Sequence, residues 1–337
     1  MRGSMRAGTG NAAICERGQP MTSRPAESPD DLARTSQLMT PRGSRPPGAA
    51  RALLGWLPQE HAEYLLASQA DGELSGAQRG RVSQARDAIA ARPSGIDQDG
   101  LISPLPGELA DHATRVAATP AGARMRADGW EVAMVDLARV AAFQPSVFTD
   151  SAIERAAILD PGDLRGIAEL AIPARHPRPI GELAPGDDVL PVQIQYHHLT
   201  KTYTITSPNL NLTVTGKLSA LENHAPQPSS VGLGFTISVP PSFLQVARFQ
   251  GRYLLQDGYH RAFGLLSRGI TRVPAYVRDF ATADDLAPAG MLPRSTWLGD
   301  RPPLLRDYHD DLVTEPVLLP VPHRTIVIQA TELLMTN

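Results

Sequence analysis

The chain has 337 residues, of which 42% are hydrophobic, so it is long enough for one large domain or two modest ones with a proper core. A net charge of −3 and a pI near 6.3 exclude a general electrostatic attraction to nucleic acid. Cys15 is the only cysteine, which excludes an internal disulfide or a zinc–cysteine cluster. Because no apolar run could span a bilayer or serve as a signal peptide, we expect a cytoplasmic protein without a membrane partner.

The first part of the chain is predicted to be a tail followed by helices. Residues 1–50 are rich in Gly, Ser, Pro, Thr and Arg, which predicts a disordered tail. Residues 51–128 are predicted to be helical: a helical hairpin within 52–92, whose second helix starts with a capping box at Ser75, then a helix over 108–116. The arginines of that second helix are expected on its outer face, either solvated or facing nucleic acid or an acidic partner: Arg79, Arg81, Arg86 and Arg92.

The middle and the end of the chain are predicted to add strands. A helical stretch is expected over 153–172 and loops beyond Phe280. Thr-rich and aliphatic runs predict three antiparallel strands at 192–198, 202–206 and 210–215, a strand at 233–239, and closing strands at 317–321 and 325–330. His197 and His198 are adjacent in a predicted strand and point to opposite faces, so we expect no metal site there.

The segment Gly251–Val277 carries the most concentrated polar chemistry of the chain. It is predicted to form a strand over 252–256, a turn at Asp257-Gly258, a helix from Tyr259 to a stop at Gly269, and a second strand over 273–277. His260 and Arg261 then lie in the first turn of a helix. Free backbone N–H groups and the helix dipole favour an anion at that position.

This segment resembles the ParB/sulfiredoxin-like family, whose members carry an Asp-Gly-x-His-Arg signature at such a turn. The resemblance covers 253–277, and Phe143-Gln144-Pro145 is similar to the turn that opens ParB-like domains. It implies an α+β fold with a mixed sheet, a core over 129–280 with inserted segments, and a C-terminal part over 281–337. It also implies that Gly258, His260 and Arg261 contact nucleotide phosphates.

Two departures limit what the resemblance implies about chemistry. Tyr259 occupies the position at which sulfiredoxin-type sequences have a cysteine, and no helix-turn-helix pattern follows Phe280. Phosphate-loop and nucleophile-elbow motifs are also absent. Whether the protein is an enzyme therefore stays open.

We expect a phosphate-bearing ligand, first of all a nucleotide with or without magnesium, at the turn 257–261, where the candidate ligand-binding residues are Asp257, Gly258, Tyr259, His260 and Arg261. Arg261 would clamp phosphate oxygens, His260 would donate to them, and Asp257 would orient His260 or hold a divalent ion. Arg278 follows the second strand and is expected at the same rim, because parallel strands present their carboxyl ends together. Hydrolysis or phosphoryl transfer is open.

Two alternatives remain. The protein could be a non-enzymatic, DNA-associated or regulatory protein that uses the hairpin arginines. It could also be an interaction module in which Asp257 caps the helix, Asp257 holds His260, and Arg261 makes a surface ion pair. The oligomeric state is not predicted.

Overall fold

The computed structural model describes residues 46–69, 74–174, 192–207, 210–214, 219–221, 232–286 and 291–329. These residues form a mixed α+β structure, which confirms the predicted fold class at that level. The predicted tail lies outside the described residues as far as residue 45, whereas Gly48–Ala52 form the first strand.

The helices before residue 280 lie in regions for which the sequence predicts helix, whereas the short helix Arg294–Trp297 lies in a stretch that was predicted to be loop. Their bounds are α1 Gln59–Gln69, α2 Gly76–Ala90, α3 Ala110–Ala118, α4 Pro120–Ala127, α5 Asp150–Ala157, α6 Leu164–Ala171, α7 Tyr259–Ser267 and α8 Arg294–Trp297. The capping box at Ser75 is present, because Ser75 and Gln78 exchange side-chain to backbone hydrogen bonds of 3.2 and 2.9 Å. Among the described residues, none of the helices combines the length and the hydrophobicity required to cross a bilayer.

A mixed five-stranded sheet carries the predicted signature segment. The strands of the molecule are β1 Gly48–Ala52, β2 Ile102–Ser103, β3 Glu131–Asp136, β4 Ser146–Phe148, β5 Gln193–His197, β6 Thr202–Ser207, β7 Thr213–Val214, β8 Ser219–Leu221, β9 Gly232–Gly234, β10 Ile237–Ser238, β11 Gln245–Phe249, β12 Arg252–Asp257, β13 Arg272–Asp279, β14 Glu315–Leu319 and β15 Arg324–Gln329. The five-stranded sheet has the order β12-β11-β13-β3-β2, and only β11 and β13 are parallel neighbours.

The central strand β13 tolerates Pro274 because pairing on its two sides starts at different residues. It pairs with β3 from Arg272, but its register with β11 starts only at Tyr276. The Tyr276 N–H points to the β11 side, where it donates to Leu244. Pro274 is two residues earlier and faces the same side, so its missing N–H removes no bond of the ladder.

The remaining strands pair differently from the prediction. In the sheet β15-β6-β5, β5 and β6 pair antiparallel as predicted, but the third strand is β15. Of the run at 210–215, the part that the structure describes ends at Val214 and contributes the two residues of β7, which pair with β10. The ladder between β15 and β6 runs from Arg324 to Gln329. The other closing strand, β14, pairs with β1, which also pairs with β4.

The arginines of α2 and its C-terminal flank bind the protein itself, which corrects the prediction of a free outer face. Arg81 donates to the Leu312 carbonyl at 3.0 Å and pairs with Glu315 at 3.2 Å. Arg92 pairs with Asp307 at 3.1 Å. The other two also donate to carbonyls: Arg79 to Leu74 and Arg86 to Leu57. These contacts attach α2 to residues 307–315 and to its own surroundings.

Helix α7 packs closely on α5, and this contact positions the candidate site. Gly264 of α7 lies against the backbone of Ala152 in α5, and a Cβ at Gly264 would collide with the Ala152 carbonyl. The buried face of α7 includes Ala262, Phe263 and Leu265. The missing side chain at Gly264 therefore brings α5, with its polar residues, next to the start of α7.

Candidate functional site

The strand, turn, helix and strand predicted for the signature segment are confirmed. Strand β12 ends at Asp257, α7 begins at Tyr259, and Gly258 lies between them with a φ of +99°. Gly269, with a φ of +73°, follows the end of α7. Both conformations are left-handed, which only glycine adopts without strain.

Within the described part of the chain, no side chain caps the N-terminus of α7. The N-cap residue is Gly258, and the Asp257 carboxylate binds elsewhere: it accepts from the Ser242 hydroxyl at 2.6 Å and from the Gly258 N–H at 2.7 Å. The alternative in which Asp257 caps the helix is therefore wrong. The N–H groups of the first turn keep the positive end of the helix dipole open to an anion.

Arg261 is a buried anchor of the turn. Its side chain is 10% exposed, and its guanidinium donates to the carbonyls of Ser242 and Ala171, the latter at 3.3 Å. It also donates to the Ser242 hydroxyl at 2.7 Å and lies 3.9 Å from the Asp257 carboxylate. Burial lowers the pKa of Arg261, against the effect of Asp257. The alternative in which Arg261 makes a surface ion pair is therefore wrong, because the guanidinium is largely buried and binds mainly backbone carbonyls.

His260 is held by an aromatic stack in surroundings that disfavour its protonated form. Its ring lies parallel to that of Phe148, with 6.0 Å between centroids and 19° between planes. Burial lowers its pKa below 6.5, and the charges of Arg155 and Arg261 act in the same direction, against Asp257. Among the described residues no hydrogen bond joins Asp257 to His260, so Phe148 takes the orienting role predicted for Asp257.

Tyr259 has a structural position. Its hydroxyl is buried, donates to the Leu255 carbonyl at 2.7 Å, and accepts from the N–H groups of Phe143 and Gln144 at 3.0 and 3.3 Å. Burial raises the pKa of this phenol. The residue at the cysteine position of sulfiredoxin-type sequences therefore attaches the Gln144-Pro145 turn to β12. It also brings the two stretches that resemble the family together.

A cavity of about 600 Å³ opens at the turn. Beyond residues 257–261, its polar and aromatic lining comprises Gln144, Phe148, Asp150, Ser151, Arg155, Asn211, Ser242 and Gln256. Arg155 of α5 is exposed, and among the described residues its guanidinium makes no hydrogen bond or ion pair. The sequence analysis missed both Arg155 and Ser242. The local sequence gives no signal for either, because contacts between distant segments bring them to the turn.

Arg278 lies elsewhere, which corrects its predicted position. Its guanidinium carbon is 4.7 Å from the ring centroid of Phe280 and 5.9 Å from that of Trp130. Strands β12 and β13 were expected to be parallel, which is wrong. Strand β12 is antiparallel to β11, and β11 is parallel to β13. Strands β12 and β13 therefore run in opposite directions, and the structure does not bring Arg278 into the lining of this cavity.

A metal centre is not evident in the described part of the chain. It holds no group of three or more His, Cys, Asp or Glu side chains that could bind a metal ion. Arg268 and Arg272, which flank the end of α7 and the start of β13, donate to the Leu159 carbonyl at 3.2 Å and to the Ser103 hydroxyl at 2.6 Å. The polar chemistry available to a ligand at the turn is thus that of the cavity lining.

No protein-family model matches this chain, and neither curated proteins nor solved structures show a significant similarity to it. The ParB/sulfiredoxin-like relationship therefore stays a prediction from the signature. Function has to be argued from the geometry of the site.

Proposed function

We propose that the cavity at the turn 257–261 binds a phosphate-bearing ligand, with a nucleotide as the first candidate. One observation carries the proposal: the uncapped N-terminus of α7 opens into a cavity that Arg155 and Arg261 also line. Backbone N–H groups at a helix N-terminus and nearby guanidinium groups are the usual binding partners of phosphate oxygens.

The two arginines have different roles in this proposal. Arg261 is occupied by carbonyls and the Ser242 hydroxyl, so it supplies positive charge and fixes the wall. Arg155 is exposed and free to bind phosphate oxygens in a bidentate fashion. The imidazole of His260 donates a further hydrogen bond. The sequence analysis assigned the binding of phosphate oxygens to Arg261, and in this proposal Arg155 has that role.

The rest of the cavity suits a nucleotide. A volume of about 600 Å³ is within the range of small-molecule sites. The stacked rings of Phe148 and His260 form an aromatic wall for a base, next to the Gln256 amide. The half-exposed carboxylate of Asp257 is the group that would hold a magnesium ion bridging the phosphates.

Binding is the core of the proposal, and hydrolysis or phosphoryl transfer would require only that the bound phosphates be positioned and their charge stabilised. The DNA-associated alternative has weaker support. The arginines on which it depends donate to backbone carbonyls or pair with carboxylates within the protein.

The proposal is tested by thermal shift of the full chain with ATP, ADP, pyrophosphate and adenosine, with and without Mg²⁺. ATP, ADP and pyrophosphate should raise Tm and adenosine should not, because the phosphates supply the affinity. Arg155→Gln should weaken binding at least about tenfold, as expected for the loss of a charged hydrogen bond. Phosphate release from ATP is measured in the same samples to detect turnover.

Arg124→Gln is the matched control, because Arg124 is an exposed helical arginine outside the cavity lining. It should leave binding unchanged. The proposal is contradicted if millimolar ATP, ADP and pyrophosphate produce no shift, or if both substitutions weaken binding equally.

A further inference from the structure

Tyr276 in the central strand β13 has a buried phenol without a hydrogen-bond partner. The residue is 1% exposed, and its hydroxyl makes no hydrogen bond to the described residues. The other fully buried phenols differ: Tyr259 donates to Leu255 at 2.7 Å and Tyr308 donates to Gln144 at 2.5 Å, both to carbonyls. Because an unpaired buried hydroxyl destabilises a fold, its retention at Tyr276 requires an explanation.

Tyr276 is also one of the residues that line a second cavity of about 700 Å³, which lies between α3 and the start of β3. Its walls are mainly apolar, with Ala113 and Ala117 of α3 on one side and Trp130 and Val132 on the other. Its volume is within the range of small-molecule sites. The cavity therefore offers an apolar volume and a phenol that lacks a partner.

Charge at this cavity is asymmetric. Arg126 and Glu131 line it, and both are exposed. Burial raises the pKa of Tyr276, and the positive charge of Arg126 acts in the opposite direction. Glu131 adds one negative charge, which disfavours multiply charged anions such as phosphates. The best match is a ligand with a single negative charge, located next to the phenol and Arg126.

We propose that this second cavity binds a small monocarboxylate with an apolar body, whose carboxylate accepts a hydrogen bond from Tyr276. The apolar body packs on Trp130 and the alanines of α3, and Arg126 neutralises the carboxylate from the rim. This site is separate from the turn 257–261 and does not depend on phosphate binding there.

The test compares matched probes on the full chain. 3-Phenylpropionate and octanoate are the carboxylates, and 3-phenylpropionamide is the neutral match. Calorimetric titration should give at least about tenfold tighter binding for 3-phenylpropionate than for the amide, as expected for a hydrogen bond to a charged group. Tyr276→Phe should remove that preference, and Arg126→Gln should weaken carboxylate binding while leaving amide binding unchanged.

Stability of the unliganded variants gives a second readout. Tyr276→Phe removes an unpaired hydroxyl and should leave Tm unchanged or raise it. Tyr308→Phe, the matched control, breaks the bond to Gln144 and should lower Tm by about 3 °C without changing the preference for carboxylates.

Two results would overturn the proposal. One is saturable binding of 3-phenylpropionate that is equal in the wild type and in Tyr276→Phe. The other is the lack of saturable binding of either carboxylate at low-millimolar concentration. A fall in Tm on Tyr276→Phe similar to that of Tyr308→Phe would also count against it, since the hydroxyl would then have a partner in the free protein.

Discussion

The two cavities differ in how their polar side chains are satisfied. At the turn 257–261, Asp257, Ser242 and Arg261 bind one another and the backbone. What remains open there is the helix N-terminus, together with Arg155 and His260. At the second cavity the walls are mainly apolar, and the phenol of Tyr276 has no hydrogen-bond partner among the described residues.

This difference indicates which residues build a site and which contact a ligand. A side chain whose hydrogen bonds are complete holds its neighbours in place, and its removal leaves those neighbours unpaired. A buried group without a partner contributes nothing to the free protein, and its removal has little cost. The first cavity should therefore lose stability when its network is cut, whereas the second should lose only binding.

Arg261→Ala breaks the network of the first cavity and should have the largest effect on stability. It removes a buried guanidinium and its hydrogen bonds to the Ser242 carbonyl and hydroxyl, whereas the Ala171 carbonyl still accepts from the Leu244 N–H at 2.8 Å. We expect a loss of about 3 kcal/mol in the free energy of unfolding, as for other broken buried polar networks. Urea denaturation of the full chain measures it.

Arg155→Ala is the matched comparison, since it removes an exposed arginine from the same cavity. It should change the free energy of unfolding by less than about 0.5 kcal/mol, as most surface substitutions do. Equal losses in the two variants would show that the burial of Arg261 does not distinguish a structural arginine from a ligand-binding one.

Gly258→Ala tests the backbone of the turn and should have an intermediate effect. A Cβ at a φ of +99° is strained and would lie 3.3 Å from the Leu244 Cα atom. We expect a loss of about 2 kcal/mol in the free energy of unfolding, which urea denaturation measures. Gly269→Ala is the control: its φ is +73°, but its Cβ would contact nothing within 4 Å, so only about 1 kcal/mol should be lost. A loss at Gly269 as large as that at Gly258 would assign the whole effect to φ.

The sequence predicted those parts of the fold that local signals determine. The strand, turn and helix at 252–267 follow from Asp257-Gly258 and from apolar residues at helical spacing. The capping box at Ser75 follows from the spacing of Ser and Gln. Each of these signals lies within a few residues of the element that it defines, so a single sequence contains it.

Pairing between distant segments could not be predicted in the same way. Strand β6 selects β15 rather than the run at 210–215, although both have strand-like patterns. The directions of β12 and β13 follow from the insertion of β11 between them, and this decides where Arg278 lies. The role of Arg261 likewise depends on carbonyls at Leu170 and Ala171, about ninety residues away in the chain. Local patterns do not encode such contacts.

The smallest expected effect is the pH dependence of the free energy of unfolding. The pKa of His260 in the folded chain lies below its ordinary 6.5, so the unfolded chain binds a proton first as the pH falls. The free energy of unfolding should therefore decrease as the pH falls from about 6.5 to the folded pKa of His260. Above about pH 6.5 the imidazole is neutral in both states, and its contribution to stability should not change with pH. His309 adds to the same trend, because burial and Arg51 lower its pKa.

His260→Gln should reduce this slope in urea denaturation series between about pH 7 and pH 5, leaving the part that His309 contributes. Arg155→Gln should raise the pKa of His260, observed by NMR titration, because it removes a nearby positive charge. Identical slopes in the wild type and His260→Gln would show that the imidazole is not buried enough to be held neutral. A bound phosphate should act in the opposite direction to Arg155 and raise the pKa of His260. The titration then connects the electrostatics of the free cavity to the ligand that we propose for it.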